Sequence, residues 1–358
     1  MEREILERWK RAVIPLECAG DDEGYRASQR RMDDLRSSLG QGKITIEEYS
    51  RAYSEEFRAH HGGRDRRYVG TALFLTHERR RYLVTARHVV RDDIGAAWDI
   101  EDARKKAAAG HPFLREGAIN WAIEQAPTKI FGIIFRVRSI GETISSAAKP
   151  PAFLMNLGAG SVSRPYSFSD DALDLAIIAL DMRHNGDFAD ELIALGYSPI
   201  PSDAISDGPE SEGQEVFTVG YPDPVAQIGR LTQESGMAAW SSNDVVTPAF
   251  SFGRVSLLHS SLYSFWADMT VLPGNSGGPL VVSDQLAGIV TGTATMPIRG
   301  SKDGEVGASF ALVTKGRFVR DLLRVQLEKE AGREEWKKRI ARIKGGKDQS
   351  GDAPNDQG

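Results

Sequence analysis

Three short segments of the sequence carry residues that together can perform nucleophilic chemistry. The first, PGNSGGPL at residues 273–280, places one serine among glycines. A serine hydroxyl is a weak nucleophile until a base removes its proton, and the oxyanion that develops needs fixed N–H donors. Because glycines permit a tight turn, the segment predicts Ser276 as a nucleophile, with the N–H groups of Gly274 and Ser276 as oxyanion donors. An ordinary glycine-rich turn between strands is the alternative.

The other two segments supply a base and a carboxylate. His88 lies near the end of YLVTARHVV, a run typical of a β-strand, and such a rigid position suits an imidazole that must be presented. Asp174 opens the run DLAII, where a carboxylate is costly unless it is paired or hydrogen-bonded. Both have a structural alternative, a packed histidine and a solvated strand-end charge, and Asp170 and Asp171 are close rivals of Asp174.

Length and composition bound the class of protein. The chain has 358 residues, 45 basic and 50 acidic, and is 41% hydrophobic, which is typical of a folded protein of about two domains. Its one cysteine, Cys18, excludes an internal disulfide and is expected in the core. No segment approaches the ~20 apolar residues that span a bilayer, and the N-terminus lacks a signal-peptide core, so a cytoplasmic location is expected.

Most of the chain shows the pattern of short β-strands. Runs of strand length are punctuated by Gly and Pro at uneven spacing, which predicts a mainly β protein of antiparallel barrels or a sandwich. The strand candidates are residues 12–16, 68–75, 81–85, 130–140, 174–180, 215–221, 253–258, 265–271, 279–282, 287–291 and 307–313.

Helical periodicity is confined to a few regions. Residues 21–61 predict a helical hairpin with Thr45 and Glu48 as a capping box, and residues 92–109 predict a surface helix. Residues 315–347 predict a basic terminal helix, interrupted near Gly332 and packed through Phe318, Leu322 and Val325. Such a charge run is more often a solvated face than a contact for nucleic acid or anionic lipid. Residues 348–358 predict a disordered tail.

Taken together, the three segments resemble the chymotrypsin-fold (trypsin-like) serine endopeptidases, in which His, Asp and Ser follow in this order. TARHV, DLA and GNSGGP look like the three motifs of that family, and the resemblance is closest to bacterial Deg/HtrA-type peptidase domains without a PDZ domain. It implies two antiparallel six-stranded barrels with the site between them. The expected divisions are residues 1–66 (helix, first strand and helical hairpin), 67–200 (first barrel), 201–314 (second barrel), 315–347 (helix) and 348–358 (tail).

The resemblance also implies roles for particular residues. Ser276 would be the nucleophile, His88 the general base and Asp174 the group that orients the imidazole, with no metal or organic cofactor. The primary specificity pocket would be formed by Thr270, Val271, Val290, Thr291 and Gly292. Since no acidic residue stands at position 270, we expect a small or apolar residue before the cleaved bond.

The sequence departs from the family pattern in three places. Arg87 stands beside His88, where it either lowers the pKa of the histidine or points to solvent. Asn275 replaces the aspartate of zymogen-activated members. The segments 21–61 and 92–126 lengthen the first barrel and are candidate surfaces for a regulatory protein partner, which suggests a narrow substrate or a restrained enzyme. The alternative function is a protease-fold binding module without turnover.

Overall fold

The computed structural model describes residues 2–20, 23–59, 66–109, 112–136, 152–154, 164–182, 186–222, 232–233, 240–241, 247–297 and 305–347. The helices are α1 (Arg3–Arg11), α2 (Glu23–Gly40), α3 (Ile46–Ala59), α4 (Arg87–Val90), α5 (Asp93–Ala109), α6 (Pro112–Gln125), α7 (Gly186–Ala194) and α8 (Gly316–Lys347). The strands of the N-terminal half are β1 (Val13–Gly20), β2 (Arg66–His77), β3 (Arg80–Ala86), β4 (Gly132–Arg136), β5 (Ala152–Leu154), β6 (Tyr166–Phe168), β7 (Leu175–Ala179) and β8 (Ile200–Pro201). The later strands are β9 (Glu215–Gly220), β10 (Thr232–Gln233), β11 (Trp240–Ser241), β12 (Ala249–Leu257), β13 (Ser264–Asp268), β14 (Pro279–Val282), β15 (Gln285–Pro297) and β16 (Glu305–Lys315).

The N-terminal half is built on one sheet with the strand order β5-β4-β1-β2-β3-β7-β6, to which β8 adds beside β2. Strand β7 shows why strands of this sheet are apolar on both faces. Ala176 and Ile178 enter one buried cluster, whereas Leu175, Ile177 and Ala179 enter another. Because successive side chains of a strand point to opposite faces, the sheet separates two cores. The resemblance implied a six-stranded barrel here. The described strands number eight, and the pairings among them do not close a barrel.

The C-terminal half contains the closed six-stranded barrel that was expected. Its strand order is β12-β13-β16-β15-β14-β9, and all of its pairings are antiparallel. Side chains such as Phe265, Leu280 and Val313 fill its interior. The outer side of β9 and β14, through Phe217 and Val281, shares a second cluster with the N-terminal sheet. The mainly β architecture predicted from the sequence is therefore confirmed.

Helix α8 leaves the barrel at the end of β16 and packs on the N-terminal sheet. Val319, Leu322 and Leu323 are its buried apolar residues, whereas Val325 is half exposed, so the prediction that Val325 packs on the barrels was wrong. The helix also continues through Gly332, which has no neighbour within 4 Å of an added Cβ. A helical glycine costs only about 1 kcal/mol, and the surrounding Ala, Glu, Arg and Lys residues favour helix.

Lys329 gives α8 a pH-dependent contact with the sheet. Its Nζ donates to the carbonyl of Tyr166 at 2.7 Å, and burial, then the positive charge of Arg164, lowers its pKa from 10.5 to about 8. Between these two values the unfolded chain holds a proton that the folded chain lacks, so the folded state gains stability as pH rises through this window. We expect Lys329→Met to stabilise the protein near pH 7 by roughly 1 kcal/mol more than near pH 10, after discounting for solvent screening.

The measurement is urea unfolding of the wild type and Lys329→Met at both pH values. Lys337→Met, which removes an exposed lysine of the same helix paired with Glu334, is the control. A difference in unfolding free energy that is the same at both pH values would contradict the prediction.

The two helical insertions contact each other. The capping box of the hairpin is confirmed, because Thr45 and Glu48 exchange hydrogen bonds of 2.8 and 3.2 Å. Arg26 of α2 pairs with Asp102 of α5 at 2.9 Å and lies over the Trp98 ring at 4.4 Å. Among the described residues, no helix is long and apolar enough to cross a membrane.

Candidate active site

His88 and Asp174 are adjacent because the strands that carry them pair directly. Strands β3 and β7 run antiparallel with Ala86 opposite Leu175, so the end of one strand meets the start of the other. His88 lies in the short helix α4 that follows β3, and Asp174 immediately precedes β7. The register of this pair therefore places an imidazole beside a carboxylate.

The carboxylate of Asp174 accepts two hydrogen bonds from His88. The backbone N–H donates to Oδ1 at 2.8 Å, and the ring Nδ1 lies 2.5 Å from Oδ2. Since an ionised carboxylate can only accept, the proton of a neutral imidazole resides on Nδ1 and Nε2 keeps its lone pair. The His88 side chain is 49% exposed, whereas that of Asp174 is 21% exposed. The pair can thus act as a base that faces solvent and is oriented from behind.

The serine turn leaves two of its N–H groups free. Gly274 and Gly277 have positive φ values of 97° and 88°, conformations that favour glycine. The N–H groups of Asn275, Gly277 and Gly278 donate to the carbonyls of Leu272, Val290 and Asn275, respectively. Within the described parts of the chain, the N–H groups of Gly274 and Ser276 have no acceptor. These are the two donors that the sequence predicted for an oxyanion.

Two glycines bring the serine turn against the histidine segment. A Cβ on Gly277 would lie 2.0 Å from the carbonyl oxygen of Thr71 and 3.0 Å from the N of Ala86, two residues before His88. A Cβ on Gly70 would lie 2.5 Å from Val89 and 3.1 Å from the carbonyl oxygen of Ser276. Only glycine fits the backbone approach at Gly277, and at Gly70 a side chain would collide with the branched side chain of Val89. Segments that are almost 190 residues apart in the chain therefore meet at one site.

Thr71 was not predicted as a site residue from the sequence, yet it connects strand β2 with the serine turn and with the segment that follows β9. Its N–H donates to the carbonyl of Ser276 at 2.9 Å, and its hydroxyl donates to the carbonyl of Gly274 at 2.7 Å. The same hydroxyl accepts the N–H of Tyr221 at 2.9 Å. Strand β3 pairs with β2 only from Leu73 onward, which leaves Thr71 available to the serine turn. No local pattern indicates this role, since its partners are distant in sequence.

The rivals of Asp174 have other partners. Asp170 accepts the N–H of Leu173 at 2.9 Å and stays within its own loop. Asp171 pairs with Arg87 and, at 2.9 Å, with Arg91. Arg87 itself is 7% exposed, so the suggestion that it points to solvent was wrong.

The five predicted pocket residues lie beside the serine turn in two different environments. Val290 exchanges backbone hydrogen bonds of 2.8 and 2.9 Å with Gly277 and Gly278. The side chains of Val271 and Val290 are buried in the barrel core. Thr270 is exposed, and Thr291 and Gly292 are half-buried. Whether these residues form a specificity pocket stays a prediction.

Other residues singled out in the sequence have structural environments. Cys18 is buried, and burial raises the pKa of its thiol. Asn275 is also buried. Among the described residues, no group of three or more His, Cys, Asp or Glu side chains is placed to hold a metal ion. His60 and His61, which the sequence gave no metal partners, and the tail at 348–358 lie outside the described residues.

Comparison with solved structures returns similar chains at low identity. A thermostable serine protease from an extremophilic microorganism is 11% identical, with 70% of this chain and 85% of that chain covered and a TM-score of 0.36. A mutant of human heparin binding protein is 11% identical, with 72% of this chain and 86% of that chain covered and a TM-score of 0.40. No curated protein matches the chain significantly.

A family model gives the assignment that these distant structures do not. The model of the trypsin-like peptidase domain matches residues 70–289, which is more than half of the chain. This match begins at the glycine that contacts both segments of the site and includes His88, Asp174 and Ser276. The chain therefore belongs to the family of trypsin-like peptidase domains.

Proposed function

We propose that this protein is a serine endopeptidase that hydrolyses peptide bonds through an acyl-enzyme on Ser276. The observation that carries the proposal is the doubly hydrogen-bonded pair of His88 and Asp174, which lies beside a serine turn with two free N–H groups. These are the three components that acyl transfer requires: a nucleophile, an oriented base and oxyanion donors.

In the proposed mechanism, Oγ of Ser276 attacks the scissile carbonyl carbon while Nε2 of His88 takes the hydroxyl proton. The carbonyl oxygen becomes an oxyanion held by the N–H groups of Gly274 and Ser276, each worth about 3 kcal/mol in the transition state. The C–N bond then breaks, and His88 gives its proton to the leaving amine. Water, deprotonated by His88, attacks the ester carbon, and His88 then gives that proton to the Ser276 oxygen as the ester C–O bond breaks. Asp174 stabilises the imidazolium in both halves, and no metal or organic cofactor takes part.

A fluorophosphonate probe followed by intact mass tests this proposal. We expect one covalent adduct on the wild type and none on Ser276→Ala. Ser202→Ala is the matched control, because the Ser202 hydroxyl also lies 2.8 Å from a histidine nitrogen, Nδ1 of His77, and this variant should still be labelled. An unlabelled wild type would favour a protease-fold binding module, and an adduct on Ser276→Ala would identify another nucleophile.

We also propose that the enzyme acts in the cytoplasm, either on few substrates or after a protein partner binds to segments 21–61 or 92–126. Support comes from exposed apolar side chains on these helices, namely Ile46 at 66% and Trp121 at 55%. A protein partner that covered these side chains would gain from removing their apolar surface from water. An unchanged substrate profile after deletion of both segments would contradict this regulation.

A further inference from the structure

We propose that Arg87 is a positioning residue, which together with Asp171 holds the Asp174 carboxylate against His88. The inference rests on the proposed function, in which His88 needs this carboxylate. Arg87 directly precedes His88, so two consecutive residues contact the same loop from one short helix. His88 contacts the carboxylate of Asp174, whereas Arg87 contacts the loop that carries it.

Arg87 binds the loop 169–174 at three points. Its guanidinium donates to the carbonyl of Ser169 at 2.9 Å, at the start of the loop. It also pairs with the carboxylate of Asp171 in the middle. Its backbone N–H donates to the carbonyl of Asp174 at 2.9 Å, at the end. The side chain of Arg87 thus holds the start and the middle of the loop, and its backbone holds the end.

The loop needs such external contacts because its own conformation is unfavourable. Asp174 has a φ of 50°, in the left-handed region that few residues other than glycine, asparagine and aspartate adopt. Its N–H donates to the carbonyl of Asp170 at a long 3.2 Å. Such conformations persist where the surroundings over-determine them. Without Arg87, we expect the loop to relax and Asp174 to lose its alignment with the imidazole.

The guanidinium of Arg87 is not an isolated cation but belongs to a cluster of charged side chains. The Arg87 side chain is 9% exposed. Burial, then the charge of Arg91, lowers the pKa of its guanidinium, while the charges of Asp171, Asp93 and Asp174 act in the opposite direction. Arg91 binds Asp171 at 2.9 Å and Asp93 at 2.6 Å. The carboxylate of Asp171 is therefore paired with two arginines. This pairing matters for Arg87, because a buried guanidinium is tolerated only when it is paired.

The sign of the pKa change at His88 separates positioning from a simple charge effect. A nearby cation disfavours the imidazolium, so removing its charge alone would raise the pKa of His88. A misaligned Asp174 stabilises the imidazolium less, so losing the contacts of the Arg87 side chain with the loop lowers that pKa. For Arg87→Met we expect a lower pKa of His88 and a weakened low-field resonance of the Nδ1 proton.

Proton NMR of His88 in the Ser276→Ala background measures this without turnover. Arg87→Lys should recover part of the shift, and Arg81→Met, which removes a paired arginine from the other end of β3, should leave His88 unchanged. Arg91→Met is the second variant should Arg87→Met fail to fold, and we expect a smaller downward shift. An unchanged or raised pKa of His88 in the folded variants, or an equal shift in Arg81→Met, would overturn the proposal.

Steady-state kinetics of variants that retain Ser276 supply the second readout. We expect Arg87→Met to lower kcat on the order of 100-fold with KM nearly unchanged, which is the size of loss that small misplacements of catalytic groups produce. A change confined to KM would overturn the positioning role. An inactive wild type would contradict the proposed function alone, because the NMR result does not depend on catalysis.

Discussion

Replacing Asp174 by asparagine should lower kcat about 10⁴-fold while the fold is retained. The carboxylate now accepts from both the N–H and the Nδ1 of His88. An amide has a single acceptor oxygen, and its NH₂ group would face Nδ1 and move the ring proton to Nε2. That tautomer cannot accept the proton of Ser276, and a loss of this size is typical when a triad imidazole is held in the wrong tautomer.

Steady-state hydrolysis of a peptide substrate and the rate of fluorophosphonate labelling measure this effect. Asp170→Asn is the matched control, because among the described residues the Asp170 side chain accepts only the N–H of Leu173, and an amide oxygen can accept it as well. We expect that control to stay within about tenfold of the wild type. An Asp174→Asn variant as active as Asp170→Asn would mean that another group orients His88.

The parts of the site that could be predicted from the sequence are those with local causes. A strand end places His88, glycines with positive φ make the turn at Ser276, and Thr45 and Glu48 cap their own helix. Each of these depends on residues within a few positions, so a short motif contains the necessary information. The strand candidates likewise followed from apolar runs and turns.

The unpredicted parts depend on partners that are far apart in the chain. Arg87 could be paired or solvated, and only the position of Asp171, 84 residues later, decides between these. Val325 and Val319 fit a helical face about equally, and only the placement of α8 on its neighbours buries Val319 and leaves Val325 half exposed. Periodicity identifies an amphipathic helix, whereas the neighbouring element decides which residues it covers.

The difference between local and long-range causes also applies to the N-terminal sheet. The sequence located β1, β2, β3 and β7, whereas the closed first barrel that the resemblance implied stays a prediction. Strand β8 pairs in parallel with β2 over two residues, a contact too short to leave a pattern in the sequence. Pairing among strands is a tertiary property, and strand propensity alone does not determine it.

Thr71→Val is the change for which we expect the largest loss of stability. The side chain is fully buried, and its hydroxyl donates to the carbonyl of Gly274 and accepts from the N–H of Tyr221. Valine has a similar volume but leaves both groups without a partner, at a cost of roughly 1–3 kcal/mol each. Because one of them is the carbonyl of Gly274, the residue whose N–H is a proposed oxyanion donor, kcat should fall as well.

Two variants of the same strand show whether the hydroxyl is responsible. Thr71→Ser keeps the oxygen and should lose only about 1 kcal/mol for the missing methyl group. Thr76→Val removes a hydroxyl that donates to the carbonyl of Arg80 at 3.1 Å in an exposed position, so its effect should be small. Urea unfolding and kcat are measured for all three. If Thr71→Val behaves like Thr76→Val, then the contact between β2 and the serine turn does not depend on this hydroxyl, and the packing of Gly277 against Thr71 and Ala86 must hold the two halves of the site together.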